Sequence, residues 1–268
     1  SFKPGDRVIL PFVPNPSKGG RPLHAGWGAF SEYGIVDDAA AYSPGEAPEA
    51  AAAQQKLPRF IDKHEAPVLV TLREVLSTIR YFGIRPGESV VVYGSGPVAM
   101  TFVKLLRLLG VDEVTAVVRS AKKAELMKEF GAAACIVSTE EDVKKQIRSH
   151  YPNGVAYVLD AVGSESIINE GISLLRDRGE ILCYGVPKVN HMELDWTDAP
   201  YNWKLNFQQM PYKEEEAACH EQVLQWVADG KLVLSDFISK MVGFESVLDA
   251  FQEYLDGKTM KKVIITFE

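Results

Sequence analysis

Val90-Val91-Val92-Tyr93-Gly94-Ser95-Gly96-Pro97-Val98-Ala99 decides the fold. Its first four residues form a continuous β-branched and aromatic run, the pattern of a strand buried on both faces of a sheet. Gly-x-Gly-x-x-Ala follows, and then apolar residues at helical spacing as far as Leu109. In such a turn Gly94 lets the chain double back, Gly96 lets the backbone approach a pyrophosphate, and Ala99 keeps the helix close to the strand. The pyrophosphate would lie on the positive end of the helix dipole, against Ser95, Pro97 and Val98. Alone, the glycine pattern also fits a tight strand–helix turn with no ligand. Its place at the head of several strand–helix units points to a dinucleotide.

Those units extend through the middle third of the chain. Short apolar runs predict strands over 89–93, 114–118, 134–137, 155–159 and 181–184. Between them, helical spacing predicts helices over 97–109, 121–130, 141–148 and 165–175. Such alternation implies an α/β fold, a Rossmann-type doubly wound parallel sheet with helices on both faces. Gly131 and Gly179 read as left-handed residues that end helices.

The end of the second strand, roughly 20 residues past the glycines, is where an acid would accept the ribose hydroxyls of NAD. Val117-Val118-Arg119-Ser120 stands there instead. With no carboxylate, and with Arg119, Ser120, Lys122 and Lys123 clustered, the position suits a 2′-phosphate, because guanidinium and phosphate pair bidentately. That favours NADP over NAD. The other reading has Arg119 stacking on adenine and the lysines as a solvated helix face. Asp160-Ala161-Val162-Gly163 and Tyr184-Gly185-Val186-Pro187 close two further strands with small residues, where open α/β sheets bind ligands. Val162, Tyr184, Gly185 and Val186 are therefore cofactor candidates, although plain turn chemistry would give the same residues.

The flanks differ. Residues 6–10 and 30–36 read as short strands around a Gly- and Pro-rich loop, and 39–55 as an exposed connection or a weak helix. Residues 212–268 hold two helical segments and a terminal strand over 262–267. A formal net charge of -7 argues against a surface built for nucleic acid or anionic lipid, so a small molecule is the expected partner. Cys135, Cys183 and Cys219 are too few and scattered for a disulfide framework; the first two sit in apolar runs as buried free thiols, which fits a reducing cytoplasm. No run of 18 apolar residues and no signal pattern occur, so no membrane association is expected.

Taken together, the pattern resembles the medium-chain dehydrogenase/reductase family: zinc alcohol, polyol and threonine dehydrogenases and zinc-free quinone reductases. The resemblance runs through Gly5-Asp6-Arg7-Val8, Gly28-Ala29-Phe30-Ser31-Glu32-Tyr33, the Gly94 to Ala99 turn, Glu129-Phe130-Gly131-Ala132, Tyr184-Gly185-Val186-Pro187, Gly257-Lys258 and Lys262-Val263-Ile264. It implies a Rossmann domain over 66–215 and a partial, β-rich GroES-like catalytic domain from 1–65 with 216–268. It also implies a homodimer joined edge to edge through a strand between Trp203 and Met210.

The departures concern the metal. Family members supply a zinc-ligating Cys and a His-Glu pair from a long stretch before Gly-Asp-Arg-Val, where four residues precede Gly5 here, the first of them Ser1 rather than an initiator Met. The third ligand would align near Leu69 or Val70, which carry no donor atom, and 10–28 contains no cysteine for a structural zinc loop. Zinc is thus not supported. His24, His64 and His220 are not at ligand spacing, and Tyr33, Tyr184 and Tyr201 are weak candidates for a donor to a substrate carbonyl. No catalytic residue is assigned. The resulting expectation is an oxidoreductase moving hydride between NADP(H), less readily NAD(H), and an alcohol, carbonyl or enone. The alternatives are a zinc-free quinone or enone reductase and a truncated, inactive dinucleotide-binding module.

Overall fold

The computed structural model describes residues 1–9 and 32–267, and the chain divides into two compact units, Ser1–Ser77 with Pro211–Glu268, and Thr78–Met210. His24, Gly28 and the start of the predicted strand at Phe30 lie outside the described residues. In chain order the N-terminal part holds α1 (Glu49–Ala53) and α2 (Val68–Phe82).

The second unit continues with β1 (Val90–Tyr93), α3 (Pro97–Leu108), β2 (Val114–Val118), α4 (Ala121–Glu129), β3 (Ala134–Val137), α5 (Val143–His150), β4 (Val155–Asp160), α6 (Glu165–Ile172), β5 (Leu175–Cys183) and β6 (Trp203–Phe207). All six strands are parallel, in the order β3-β2-β1-β4-β5-β6. The expected doubly wound sheet is therefore present. Every residue of β1, β2 and β4 is buried, as continuous apolar runs require when helices cover both faces. The strand order reverses at β1, which pairs with β2 on one side and β4 on the other.

Local chemistry sets the helix boundaries. Pro97 opens α3, where its missing N–H costs nothing. Gly131, at φ +109, ends α4: its N–H donates to the Lys128 carbonyl and that of Ala132 to Met127, the double bond of a left-handed stop. Asp142 caps α5 by accepting from the Lys145 N–H at 2.9 Å, so that helix begins two residues later than its apolar spacing predicts.

Four expectations need correction. The helix predicted to Leu175 stops at Ile172, because Leu174 and Leu175 are buried and Leu175 opens β5, paired with Val155. The chain bulges between that pair and Tyr157–Glu180; Gly179 lies inside this strand with no positive φ, and Arg178 takes the left-handed conformation at φ 60 instead. Glu32 to Val36 form no strand. The Asp37 N–H donates to Gln54 Oε1 at 2.7 Å, and Gln54 Nε2 to the Ile35 carbonyl, so a side chain takes bonds that a neighbouring strand would supply. Finally, Val8 makes a single antiparallel bridge with Lys56 rather than a strand over its described neighbours.

After β6 come α7 (Lys213–Ala217), α8 (His220–Ala228), β7 (Ile238–Gly243), α9 (Val247–Leu255) and β8 (Lys262–Thr266), with β7 and β8 parallel to each other. The sequence reading had two helical segments here and missed β7. Among the described residues the first unit thus carries one two-stranded sheet and one isolated bridge. No helix among the described residues is long and apolar enough to cross a membrane.

A buried polar cluster organises this unit. The Arg73 guanidinium, fully buried, donates to Gln55 Oε1 at 2.7 Å and faces His220 Nδ1 at 3.5 Å. His220 Nε2 lies 3.0 Å from the Lys56 carbonyl, which fixes the proton on that nitrogen and leaves Nδ1 as the acceptor. Burial lowers Arg73 to about 10, so it stays charged. Burial also lowers the His220 pKa, with Arg73 adding to the effect, and raises that of Glu216 despite its ion pair with Lys213.

The two shifts act oppositely on folding. A lowered His220 contributes stability that is complete above its unfolded value of 6.5 and is lost as pH falls through the folded value. A raised Glu216 is stabilised in its protonated form, so its contribution grows as pH falls towards its unfolded value of 4.5. His220→Asn should therefore reduce the drop in thermal midpoint between about pH 7.5 and about pH 5.5. An unchanged drop in the variant would assign the acid sensitivity elsewhere.

Candidate functional site

The carboxyl ends of β1, β2, β4 and β5 share one edge of the sheet. Tyr93 pairs with Val117 and Asp160, and Asp160 with Cys183, so the loops after these strands start level with one another. Gly94 takes φ +124, which side-chain-bearing residues rarely adopt, and its N–H donates to the Val117 carbonyl at 3.2 Å. A methyl group there would stand 3.3 Å from Val162 Cγ2 and 3.4 Å from Ala99 Cβ. Ser95 is half-buried. Gly96 caps α3 with no side-chain bond, and around its Cα there is open space. The leading amides of α3 beside Pro97 and half-buried Val98 thus have no side-chain cap among the described residues, and the positive end of the helix dipole faces the loop edge.

One step along the edge, β2 delivers Arg119, exposed, and Ser120, the N-cap of α4, whose hydroxyl makes no cap bond. The loop is tied to the residues after β3 by Ser138 Oγ donating to the Val118 carbonyl and Thr139 Oγ1 to that of Arg119. Lys123 is half-buried and Lys122 exposed. None of the three cations pairs with an acid among the described residues.

On the other side of β1, the β4 and β5 loops interlock. Asp160 is fully buried. Its Oδ1 accepts from the Val162 and Gly163 N–H groups at 2.8 and 2.9 Å, and Oδ2 from that of Ser164 at 2.9 Å. Gly163 and Gly185 meet backbone to backbone: a methyl on Gly185 would lie 2.1 Å from the Gly163 nitrogen, and one on Gly163 2.4 Å from the Val186 carbonyl oxygen. Val162 and Val186 stand exposed above this crossing. Tyr184, in contrast, is buried edge-on against Phe102, ring centroids 5.0 Å apart. Cys183 is a buried thiol that burial and the neighbouring Asp160 push up to about 12, so it stays protonated and unreactive at neutral pH. Cys135, expected buried, is half-exposed, its thiol turned to the Ala124 carbonyl.

The structure thus brings Gly94, Ser95, Gly96, Pro97, Val98, Arg119, Ser120, Val162, Gly185 and Val186 to one sheet edge, with Lys123 a turn along α4. Sequence reasoning passed over Asp160, which no motif singles out because its partners are backbone amides. Tyr33 and Tyr201 are largely solvent-exposed. Leu69 is buried and Val70 half-buried, both without donor atoms, so a zinc ion does not fit there. Among the described residues no three His, Cys, Asp or Glu side chains group as metal ligands.

A six-stranded parallel sheet of this order, with a glycine turn at its switch point, defines the Rossmann class of nucleotide folds. Residues 97–227 match the family model described as zinc-binding dehydrogenase. D-xylulose reductase A of Aspergillus oryzae is 29% identical over 216 residues, covering 78% of this chain and 59% of the relative. An alcohol dehydrogenase from E. coli CFT073 complexed with NADH superposes with a TM-score of 0.70 at 19% identity, over 81% of this chain and 64% of that one. A structure assigned as a zinc-binding dehydrogenase from Sinorhizobium meliloti 1021, bound to NADP, gives 0.64 at 22% identity, over 74% and 58%. These likenesses run in the direction of the medium-chain dehydrogenase/reductase resemblance read from the sequence, with residues 97–227 as the part matched by the family model. It spans about three fifths of the length of the A. oryzae relative.

The glycine crossing makes a direct prediction. Gly185→Ala should lower stability by about 2–3 kcal/mol, the upper range for forced overpacking. Gly96→Ala, at φ -81 with open space, should stay within about 0.5 kcal/mol of wild type. Urea denaturation midpoints compare the two, and equal midpoints would show that the loops separate without cost.

Proposed function

We propose that this chain carries the cofactor-binding part of an oxidoreductase that moves hydride between NADP(H) and an alcohol, carbonyl or activated alkene. The observation that carries the proposal is the uncapped N-terminus of α3 behind Gly94 and Gly96, flanked by the unpaired Arg119, Lys122 and Lys123. The pyrophosphate would rest on the α3 amides, where the dipole and the approach over Gly96 favour it. Arg119, Ser120 and Lys123 would hold the 2′-phosphate, and Val162 and Val186 would flank the nicotinamide. When bound, the nicotinamide supplies or accepts the hydride; the chain binds and orients it and keeps its reacting face in place.

The name of the A. oryzae relative supports a polyol or ketose among the substrates. Leu69 and Val70 favour a zinc-free reductase as the second reading. NAD(H) is the alternative cofactor, consistent with the NADH of the E. coli structure. A homodimer through β6 is part of the proposal: β6 ends the sheet, with Phe207 and Met210 exposed beside an open edge.

Titration of NADPH and NADH at one salt concentration tests the cofactor assignment. NADPH should bind the more tightly, and Arg119→Ala should weaken it about 10- to 100-fold, the effect of removing a charge-assisted hydrogen bond, while leaving NADH unchanged. Equal losses for both nucleotides would return Arg119 to a stacking role and remove the phosphate assignment.

A further inference from the structure

We infer that Asp160 is a positioning residue for the nicotinamide half of the cofactor, a buried carboxylate that locks the β4 and β5 loops into one piece and so sets where Val162 and Val186 stand. The inference rests on the dinucleotide reading above and assigns a division of labour within it.

A carboxylate buried in the middle of a sheet is costly unless its oxygens are fully bonded. Asp160 has no cationic partner among the described residues; its charge is met by three backbone N–H groups at 2.8 to 2.9 Å. Its own carbonyl accepts from Tyr184 and Gly185 at 3.0 and 2.9 Å. Amides from two loops therefore converge on one residue. Through the Gly163–Gly185 crossing the loops then have no room to slide past each other. The exposed Val162 and Val186 are carried on this frame, and Val162 stands beside Gly94 at the turn where the pyrophosphate would lie.

The same carboxylate decides which helix receives phosphate. Ser164, the N-cap of α6, makes no cap bond to that helix, its hydroxyl pairing with that of Ser166 at 2.9 Å; the Asp160 carboxylate accepts from the Ser164 N–H and, with Glu165 in the first turn, offsets the positive end of the helix. The first turn of α3 has no acid of its own, and none bonds it among the described residues. Anionic groups are thus directed to α3, and the edge formed by β4 and β5 is left for a flat-faced group without negative charge, held by apolar contact. In a dinucleotide, that group is the nicotinamide ring.

Calorimetric titration of wild type and Asp160→Asn with two ligands tests this: NADPH, and adenosine 2′,5′-bisphosphate, which has the phosphorylated adenosine half and no nicotinamide. Asn keeps the shape but turns an N–H donor towards backbone donors. In the variant, NADPH should weaken about ten-fold and the bisphosphate by less than about two-fold. A parallel loss for both, or no loss for either in a folded variant, overturns the inference and leaves the cofactor reading intact. Wild type that binds neither ligand overturns the cofactor reading, and the positioning role with it. Should the variant fail to fold, hydrogen exchange on wild type decides: NADPH, and not the bisphosphate, should slow exchange over 160–165 and 184–187. Equal slowing by both ligands, or none by either, overturns the role.

Discussion

A parallel sheet buried on both faces sends all its strands out on the same side, and everything specific to this protein follows from that constraint. The apolar runs of β1, β2 and β4 have no polar face to spare for a ligand. A ligand is left to the residues at and just past the last paired positions, where Asp160 ends β4 and Gly94, Arg119, Ala161 and Tyr184 begin the loops. The strand order reverses at β1, and in open α/β sheets such a switch point is where ligands bind. The site is a product of topology before it is a product of any side chain.

The two sides of that switch point are built by opposite means. Towards β2 the backbone is held by hydroxyls, Ser138 and Thr139, and the charged side chains are exposed or half-buried and pair with no acid among the described residues. Towards β4 and β5 the backbone is held by a buried acid, and the exposed side chains are apolar. One half is adjustable and electrostatic; the other is fixed and shaped. Under the proposed cofactor reading, a phosphorylated end would meet the first half and a flat ring the second.

Much of this was legible in the residues. Val90 to Tyr93 and the glycines after them define a strand and a tight turn by their own sterics, and Arg119 is set by its spacing from Gly94. What escaped depended on distant partners. Nothing near Ile35 announces that Gln54 will take its carbonyl, and nothing near Leu175 says that Val155 will draw it into a strand. Asp160 reads as an ordinary turn acid until the amides of two loops are seen to meet it. β7 is a parallel partner to β8, about 20 residues distant, a pairing local periodicity cannot specify.

The loop crossing also divides these residues by their freedom to vary over evolutionary time. A side chain on Gly163 would meet the backbone of Val186, and one on Gly185 the backbone of Val162 and Gly163, so neither position has volume for anything larger than glycine. Val162 joins the crossing through its backbone N–H alone, and the side chains of Val162 and Val186 are exposed and take no part in those hydrogen bonds. Descendants of such a chain can retune the contour met by a bound ring through substitutions at these two tips, without reopening the fold beneath them.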